Sequence, residues 1–200
     1  MEAKASRNPQ TIAGGANGGG LRGLVSGLVP SRSNSHREPA NGHVDPEDPG
    51  ARLDEYLSDS SARVLHDLHL PDGGEISHLV VGPAGITVID SRNYTSGRAK
   101  VGTGGLRVGR RNRSKLVHEV MAKAEEIENL LVGTPYEDTL VEGALAWREV
   151  EGLPTLHSFT GPRILVCGTR KIAKEAARPG HLTARKVTGL TKFLDGQLSG

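Results

Sequence analysis

The order of the predicted elements indicates a mixed-sheet α/β or α+β domain. Three observations carry this prediction: short β-branched runs separated by Gly/Pro turns, one long helix with a continuous apolar stripe, and two further strands after that helix. The chain has 200 residues, which fits one domain and a tail. Only 3% of the residues are aromatic, so Val, Leu, Ile and Ala must build the core.

The composition divides the chain near residue 48. Residues 1–48 are rich in Gly, Ser, Asn, Pro and Arg and contain one weak apolar patch, Leu21 to Val29. Such a segment buries too little apolar surface to offset the entropy of ordering. We therefore predict a disordered tail over 1–48 and a folded domain over 49–200.

The centre of the predicted sheet is the stretch EISHLVVGPAGITVIDSRNY, from Glu75 to Tyr94. It contains two apolar runs around Gly82-Pro83-Ala84-Gly85, which predicts a tight antiparallel hairpin. A strand with one polar face is expected before it, over Arg63 to Leu70. A second, more polar hairpin is expected around residues 102–105, and its glycines are more typical of a plain turn than of a phosphate loop.

Helical spacing predicts four helices. Leu53, Tyr56 and Leu57 indicate a short one over about 50–59. The strongest pattern runs from about Ser114 to Val132, with Ser114 as its cap and Gly133 as its left-handed end. Two strands should follow, over 140–147 and 163–167. The last two helices are predicted over 169–177 and from the cap Thr183 to Leu198.

The charges are segregated along the chain, although the net charge is only +2. Residues 91–118 contain eight bases and no acid, whereas residues 119–151 contain nine acids and two bases. Segregation of this kind can create a basic face that meets phosphates, or it can solvate an ordinary surface. The eight bases are Arg92, Arg98, Lys100, Arg107, Arg110, Arg111, Arg113 and Lys115.

Several classes of protein are disfavoured by the composition. The single cysteine, Cys167, excludes an internal disulfide and a cysteine-based zinc site, and its apolar surroundings indicate a core residue. No apolar run approaches the ~18 residues of a membrane span, so no membrane partner is expected. The first ten residues lack the order of a signal peptide, and the expected location is the cytoplasm. The oligomeric state stays open.

The stretch from Glu75 to Tyr94 resembles the signature of the nuclease-related domain (NERD) family, whose pattern runs roughly IDH-x-x-VGP-x-G-x-x-x-I-[DE]-x-K-x-Y. The segments VLHDLHLP, GGLRVGRRNRSKLVHEV, LVEGALAW and RILVCGTRKIA stand in the expected order, so the resemblance covers about residues 50–198. It implies a restriction-endonuclease-like mixed β-sheet flanked by helices. It also implies a PD-(D/E)xK-type nuclease site that uses Mg²⁺ or Mn²⁺.

The family's site is only partly present in this chain. Asp90 matches the second carboxylate of the family pattern and is the proposed metal ligand. Ser77 stands where the pattern has its first carboxylate, and Arg92 stands where it has its lysine. A serine hydroxyl supplies no charge to a cation. Arginine stays protonated and cannot replace a tunable lysine, although it clamps phosphate well. The first helix is also shorter than the family's Gly-Glu-bearing helix.

Three functions remain open from these residues. The first is a degenerate site at Ser77, Asp90 and Arg92 that binds nucleic acid with weak or no cleavage. The second is an active DNA nuclease in which Glu75 or Glu119 replaces the lost carboxylate and Lys100 the lost lysine. The third is a non-catalytic protein-interaction module.

Overall fold

The computed structural model describes the part of the chain in which the domain was predicted. The described residues are 48–92, 99–102, 105–147, 157–158 and 163–199. All elements below belong to one unit of the chain, residues 39–200. The predicted tail lies outside the described residues except for Asp48, so both its disorder and the domain boundary stay predictions.

Four helices and nine strands form in the described residues, close to the predicted positions. The helices are α1 (Pro49–Leu57), α2 (Ser114–Leu131), α3 (Thr169–Ala176) and α4 (Ala184–Leu198). The strands are β1 (Arg63–His69), β2 (Glu75–Gly82), β3 (Gly85–Arg92), β4 (Ala99–Gly102), β5 (Gly105–Val108), β6 (Arg111–Asn112), β7 (Val141–Trp147), β8 (His157–Ser158) and β9 (Arg163–Gly168). The short strands β6 and β8 had no sequence signal.

The main sheet is mixed and has six strands in the order β1-β2-β3-β7-β9-β8. Strands β1, β2 and β3 form an antiparallel meander, and β7 and β9 continue the sheet in parallel with β3. Strands β4, β5 and β6 form a separate antiparallel sheet. The mixed α/β class is thereby confirmed, and the arrangement is consistent with a restriction-endonuclease-like fold.

Helices cover the two faces of the main sheet. On one face α2 and α4 share a core with Leu79, Val88 and Leu145 of the sheet. On the other face α1 and α3 pack against Val80, Ile89 and Ala144. The successive residues of each strand thus enter different cores, which is the period of two that a sheet imposes. The predicted apolar stripe of α2 is confirmed, since Val117, Val120, Ala124, Ile127 and Leu131 are buried.

Strands β1 and β2 depart from this alternation at the same level. Leu68 and Ile76 are paired across the two strands and lie in the core beneath α2 and α4. Strict alternation with Val64 and Val80, which face α1 and α3, would have placed them on the opposite face. Asp67, the residue of β1 directly before Leu68, adopts a φ of 50°. The predicted alternation of β1 agrees with the burial beyond His66, since Asp67 and His69 are exposed and Leu68 and Leu70 are buried, but Leu68 lies in a different core from Val64.

The start of α2 also differs from its predicted cap. Ser114 is the first helical residue, and Arg113 occupies the N-cap position without a side-chain cap hydrogen bond. The Ser114 hydroxyl accepts instead from the backbone N–H of Leu106 at 3.2 Å, so it ties the helix to β5. The predicted ends elsewhere are confirmed: Gly133 has a φ of 72°, and Thr183 accepts from the Lys186 N–H.

Glycines bring the β2–β3 hairpin close to neighbouring backbone. Gly82 and Gly85 pair across the predicted two-residue turn. Gly85 has a φ of 135°, and a Cβ at this position would collide with the carbonyl oxygen of Leu140. That oxygen accepts a hydrogen bond of 2.8 Å from the Ile86 N–H. The hairpin can therefore approach the residues before β7 only if position 85 lacks a side chain.

Replacing Gly85 with alanine is expected to destabilise the domain by about 2 kcal/mol or more, because the new Cβ adds a steric clash to an unfavourable φ. Urea denaturation of the full chain measures this loss. The matched control is Gly196→Ala in α4, where nothing lies within 4 Å of the added Cβ. The control should be neutral or stabilising by up to about 1 kcal/mol. Equal midpoints for the two variants would contradict the close approach at Gly85.

Candidate functional site

Asp90 is a buried carboxylate near the carboxyl end of β3. The residue is 3% exposed, and it follows Ile86 and Val88 on the face that α2 covers. The Nζ atom of Lys123, on α2, lies 3.8 Å from the Asp90 Oδ2 atom. The Lys123 side chain keeps 22% of its surface exposed, whereas that of Asp90 keeps 4%. The site therefore contains a buried acid and a cation at its solvent boundary.

The chain connection explains why Lys123 reaches this position. Strands β3 and β7 are parallel neighbours, so the chain must cross back between them, and α2 makes this return. The N-terminus of α2 consequently lies toward the carboxyl ends of both strands. Val120 on the buried face of α2 packs against Gly143 of β7. Helical side chains lean toward the helix N-terminus, which carries the Lys123 stem toward Asp90.

Ser77 lies on β2, the strand next to that of Asp90, and Arg92 lies two residues after Asp90 on β3. The last registered pair of β2 and β3 is His78 with Ile89. Ser77 and Asp90 come one residue beyond this last pair on their strands, and Ser77 is partly buried. Strand β3 continues through Arg92, which is paired with Trp147 of β7. The Arg92 side chain lies outside the described atoms.

The groups predicted to replace the missing carboxylate and lysine lie in less favourable positions than Asp90. Glu75 begins β2, is exposed and is paired with His69 across the strands. Glu119 lies one turn before Lys123 on α2, and its carboxylate contacts the Lys115 ammonium at 3.4 Å. Lys100 is in β4, which belongs to the separate sheet and does not run beside β3. Lys100 was expected to replace the lysine only if its strand ran beside the hairpin, and β4 is not a neighbour of β3 in the sheet.

The described groups around Asp90 fit a divalent metal poorly. Mg²⁺ and Mn²⁺ prefer several oxygen ligands, with carboxylates to balance their charge. Asp90 supplies one carboxylate, and it already has the Lys123 ammonium nearby. Across the described residues, no group of three or more His, Cys, Asp or Glu side chains is arranged to hold a metal ion. The residues on β2, β3 and α2 thus favour a charge-neutral pair over a metal centre.

Basic side chains cluster where the small sheet meets α2. Arg107, Arg110, Arg111 and Lys115 are exposed, and Arg113 is partly buried. The side chains of Arg92, Arg98 and Lys100 lie outside the described atoms. Since β6 leads into α2, the exposed cations stand at the N-terminal end of that helix, on the side of the sheet edge where β3 and β7 end. The basic segment and Asp90 therefore share one end of the domain.

A histidine pair links β1, β2 and α1. The Nδ1 atoms of His66 and His78 are 2.9 Å apart, so one ring donates and the other accepts. The Nε2 atom of His66 lies 3.3 Å from the Asp54 carboxylate on α1. Sequence spacing within β1 gave no sign of this pair because its members belong to different strands. Its position beside Gly50 indicates a contact that seats α1 on the sheet.

The role of Cys167 was predicted from the sequence, whereas that of Lys123 was not. Cys167 is 3% exposed in the core beneath α1 and α3, and burial raises the pKa of its thiol to about 11, so it is held as a neutral core residue. Lys123 was missed as a site residue. Its signal was its position as one of only two bases in the acidic segment 119–151, on the helix that crosses over β3.

Comparison with known proteins agrees with this architecture. The family model of the nuclease-related domain matches residues 48–147, which include α1, the β1–β3 meander, α2 and β7. No match was found among curated proteins or among solved structures. None of the helices in the described part of the chain has the length and hydropathy that a membrane crossing requires. The matched residues amount to half of the chain, and the protein belongs to the nuclease-related domain (NERD) family.

Proposed function

We propose that this nuclease-related domain binds nucleic acid and cleaves phosphodiesters weakly or not at all. The observation that carries the proposal is the pairing of buried Asp90 with the Lys123 ammonium at 3.8 Å. Ser77, which stands at the position of the family's other carboxylate, adds no negative charge. A divalent metal would therefore meet one carboxylate whose charge is already balanced, and hydrolysis that needs such a metal would be slow.

The exposed cations support binding as the remaining activity. Arg107, Arg110, Arg111 and Lys115 are exposed at the end of the domain that contains Asp90, and the segment 91–118 contains no acid, although Lys115 contacts Glu119 just beyond it. Arginine forks and lysine ammonium groups suit phosphate oxygens, and their contacts carry no base specificity. We accordingly expect binding to depend on the phosphate backbone.

The cytoplasmic location also stays a prediction.

An active nuclease with relocated ligands is the second candidate, and the position of Glu119 favours it over Glu75. Glu119 and Lys123 are four residues apart and so share one face of α2. A carboxylate one turn from the Asp90 contact is in the right region for a substitute metal ligand. Its partner Lys115 is exposed, so that ion pair could open at little cost.

DNA binding without cleavage is the expected outcome for the purified full chain. Fluorescence anisotropy with labelled single- and double-stranded DNA should give an affinity that falls with salt, with a log–log slope of roughly −3 to −4 if four cations contact phosphates. The same samples incubated with Mg²⁺ or Mn²⁺ should remain intact on gels. Robust cutting that Asp90→Ala abolishes would overturn the proposal in favour of the active nuclease.

The location of the binding surface is tested by two charge-matched variants. Replacing Arg110 and Arg111 with alanine should reduce the magnitude of the salt slope by about 2. The control replaces Arg170 and Lys174, which are exposed on α3, and should leave the slope near its parent value. An equal reduction of the salt slope in both variants would show that binding depends on the net charge of the chain and not on this surface. No salt-dependent affinity at all would favour the interaction module.

The double reversion of Ser77→Asp and Arg92→Lys is expected to create metal-dependent cleavage that the parent lacks. The added aspartate supplies the second carboxylate on the strand next to that of Asp90, and the lysine restores the tunable cation of the family pattern. A plasmid-nicking assay with Mn²⁺ measures the gain. Reverting Arg92 alone serves as the control and should stay inactive, because it adds no ligand. A double variant that folds but never cleaves would contradict the assigned positions.

A further inference from the structure

We propose that the Lys123 ammonium takes the place of a divalent cation beside Asp90, so that the site has a built-in cation that competes with metal. The proposal deepens the proposed function and rests on it only in treating Asp90 as the remnant of a metal site. It assigns to Lys123 a role that the family pattern, with its lysine two residues after the second carboxylate, does not contain.

Burial and distance carry the first step. A carboxylate with 4% of its side chain exposed needs compensation for the water it has lost. The Lys123 Nζ atom at 3.8 Å provides positive charge at a range where a low dielectric makes the attraction strong. A metal ion bound to the same carboxylate would need to lie about 2 Å from its oxygens. The ammonium and the metal would thus repel each other at close range, and binding one disfavours the other.

The total charge of the described pair carries the second step. One aspartate and one ammonium carry no net charge between them, so the pair attracts a divalent ion less than the Asp90 carboxylate would without Lys123. A second carboxylate at position 77 would return one negative charge to the site. The serine at position 77, where the family pattern has a carboxylate, and Lys123 on α2 are therefore complementary, because the ammonium balances the charge of Asp90.

Placement carries the third step. Lys123 extends from a helix whose buried apolar face packs on the sheet, so its stem begins at a defined distance from β3. Its side chain is 22% exposed, which leaves room for the ammonium to turn toward water when a metal displaces it. Metal binding is accordingly weakened and not blocked. The same exposure leaves the ammonium within reach of a phosphate group.

Mn²⁺ titration of the full chain tests the proposal. Calorimetry or the electron paramagnetic resonance of free Mn²⁺ should show at least about tenfold tighter binding for Lys123→Met than for the parent, since the competing charge is gone. Adding Asp90→Asn to Lys123→Met should abolish the gain. The matched control is Lys171→Met in α3, which removes another helical lysine paired with a carboxylate, Glu175 at 3.1 Å. This control should bind Mn²⁺ as the parent does.

Thermal unfolding keeps the test decisive if the Lys123→Met variant is unstable. Mn²⁺ should raise its Tm, because an ion that binds the folded state selectively stabilises it. It should not raise the Tm of the variant that also carries Asp90→Asn. Equal Mn²⁺ effects on these two variants, or a Lys123→Met affinity no better than that of Lys171→Met, would overturn the proposal.

The outcomes also separate this inference from the proposed function. If the parent cleaves DNA robustly but Lys123→Met still gains Mn²⁺ affinity through Asp90, the competing cation stands and the proposal of weak cleavage falls. If the parent binds DNA without cutting it while Lys123→Met gains no Mn²⁺ affinity, the proposal of weak cleavage stands and the competing cation falls. The conservative variant Lys123→Arg should behave as the parent in Mn²⁺ binding, which distinguishes a requirement for positive charge from a packing effect.

Discussion

The compensation of Asp90 is the constraint that links the sheet to α2. A carboxylate buried at this depth costs several kcal/mol unless a charge or hydrogen bonds replace water. Lys123 supplies part of that replacement, and it does so only if α2 lies close to β3 and β7. The position of α2 is set in turn by its buried apolar face, on which Val120 packs against Gly143 of β7. The charge pair thereby adds an electrostatic contact to the apolar packing that seats α2 on the sheet.

Backbone contacts at the other end of the sheet impose a second constraint. Gly82, Gly85 and Gly180 each lie so near a carbonyl oxygen that an added Cβ would collide with it. These contacts join the β2–β3 hairpin to α3, to the residues before β7 and to those before α4. The hairpin is therefore fixed at its turn by close packing and at its open end by the charge pair. Asp90 and Ser77 are held near that open end, where the registered pairing of β2 and β3 stops.

Local signals predicted most of the fold but little of the site. Apolar spacing located α2 and α4, and Gly82 to Gly85 located the hairpin, because each of these elements is determined by residues near in sequence. The exchange of faces at Asp67 was not predictable, since one left-handed residue carries no apolar pattern. Ser114 was misassigned as a cap because its hydroxyl has a partner on β5. Lys123 was missed for the same kind of reason: its contact with Asp90 spans the whole crossover from β3 to α2.

The identity of the cation decides what chemistry the site can support. A divalent metal both binds phosphate and activates the attacking water, whereas an ammonium can only attract and donate hydrogen bonds. Exchanging one for the other removes activation and preserves attraction, so binding and cleavage need not be lost together. Under the functions proposed above, Ser77 and Lys123 would each act in this direction, one by removing a metal ligand and the other by occupying the electrostatic role of the metal. Nucleic-acid binding that needs no metal is the activity that such an exchange would leave in place.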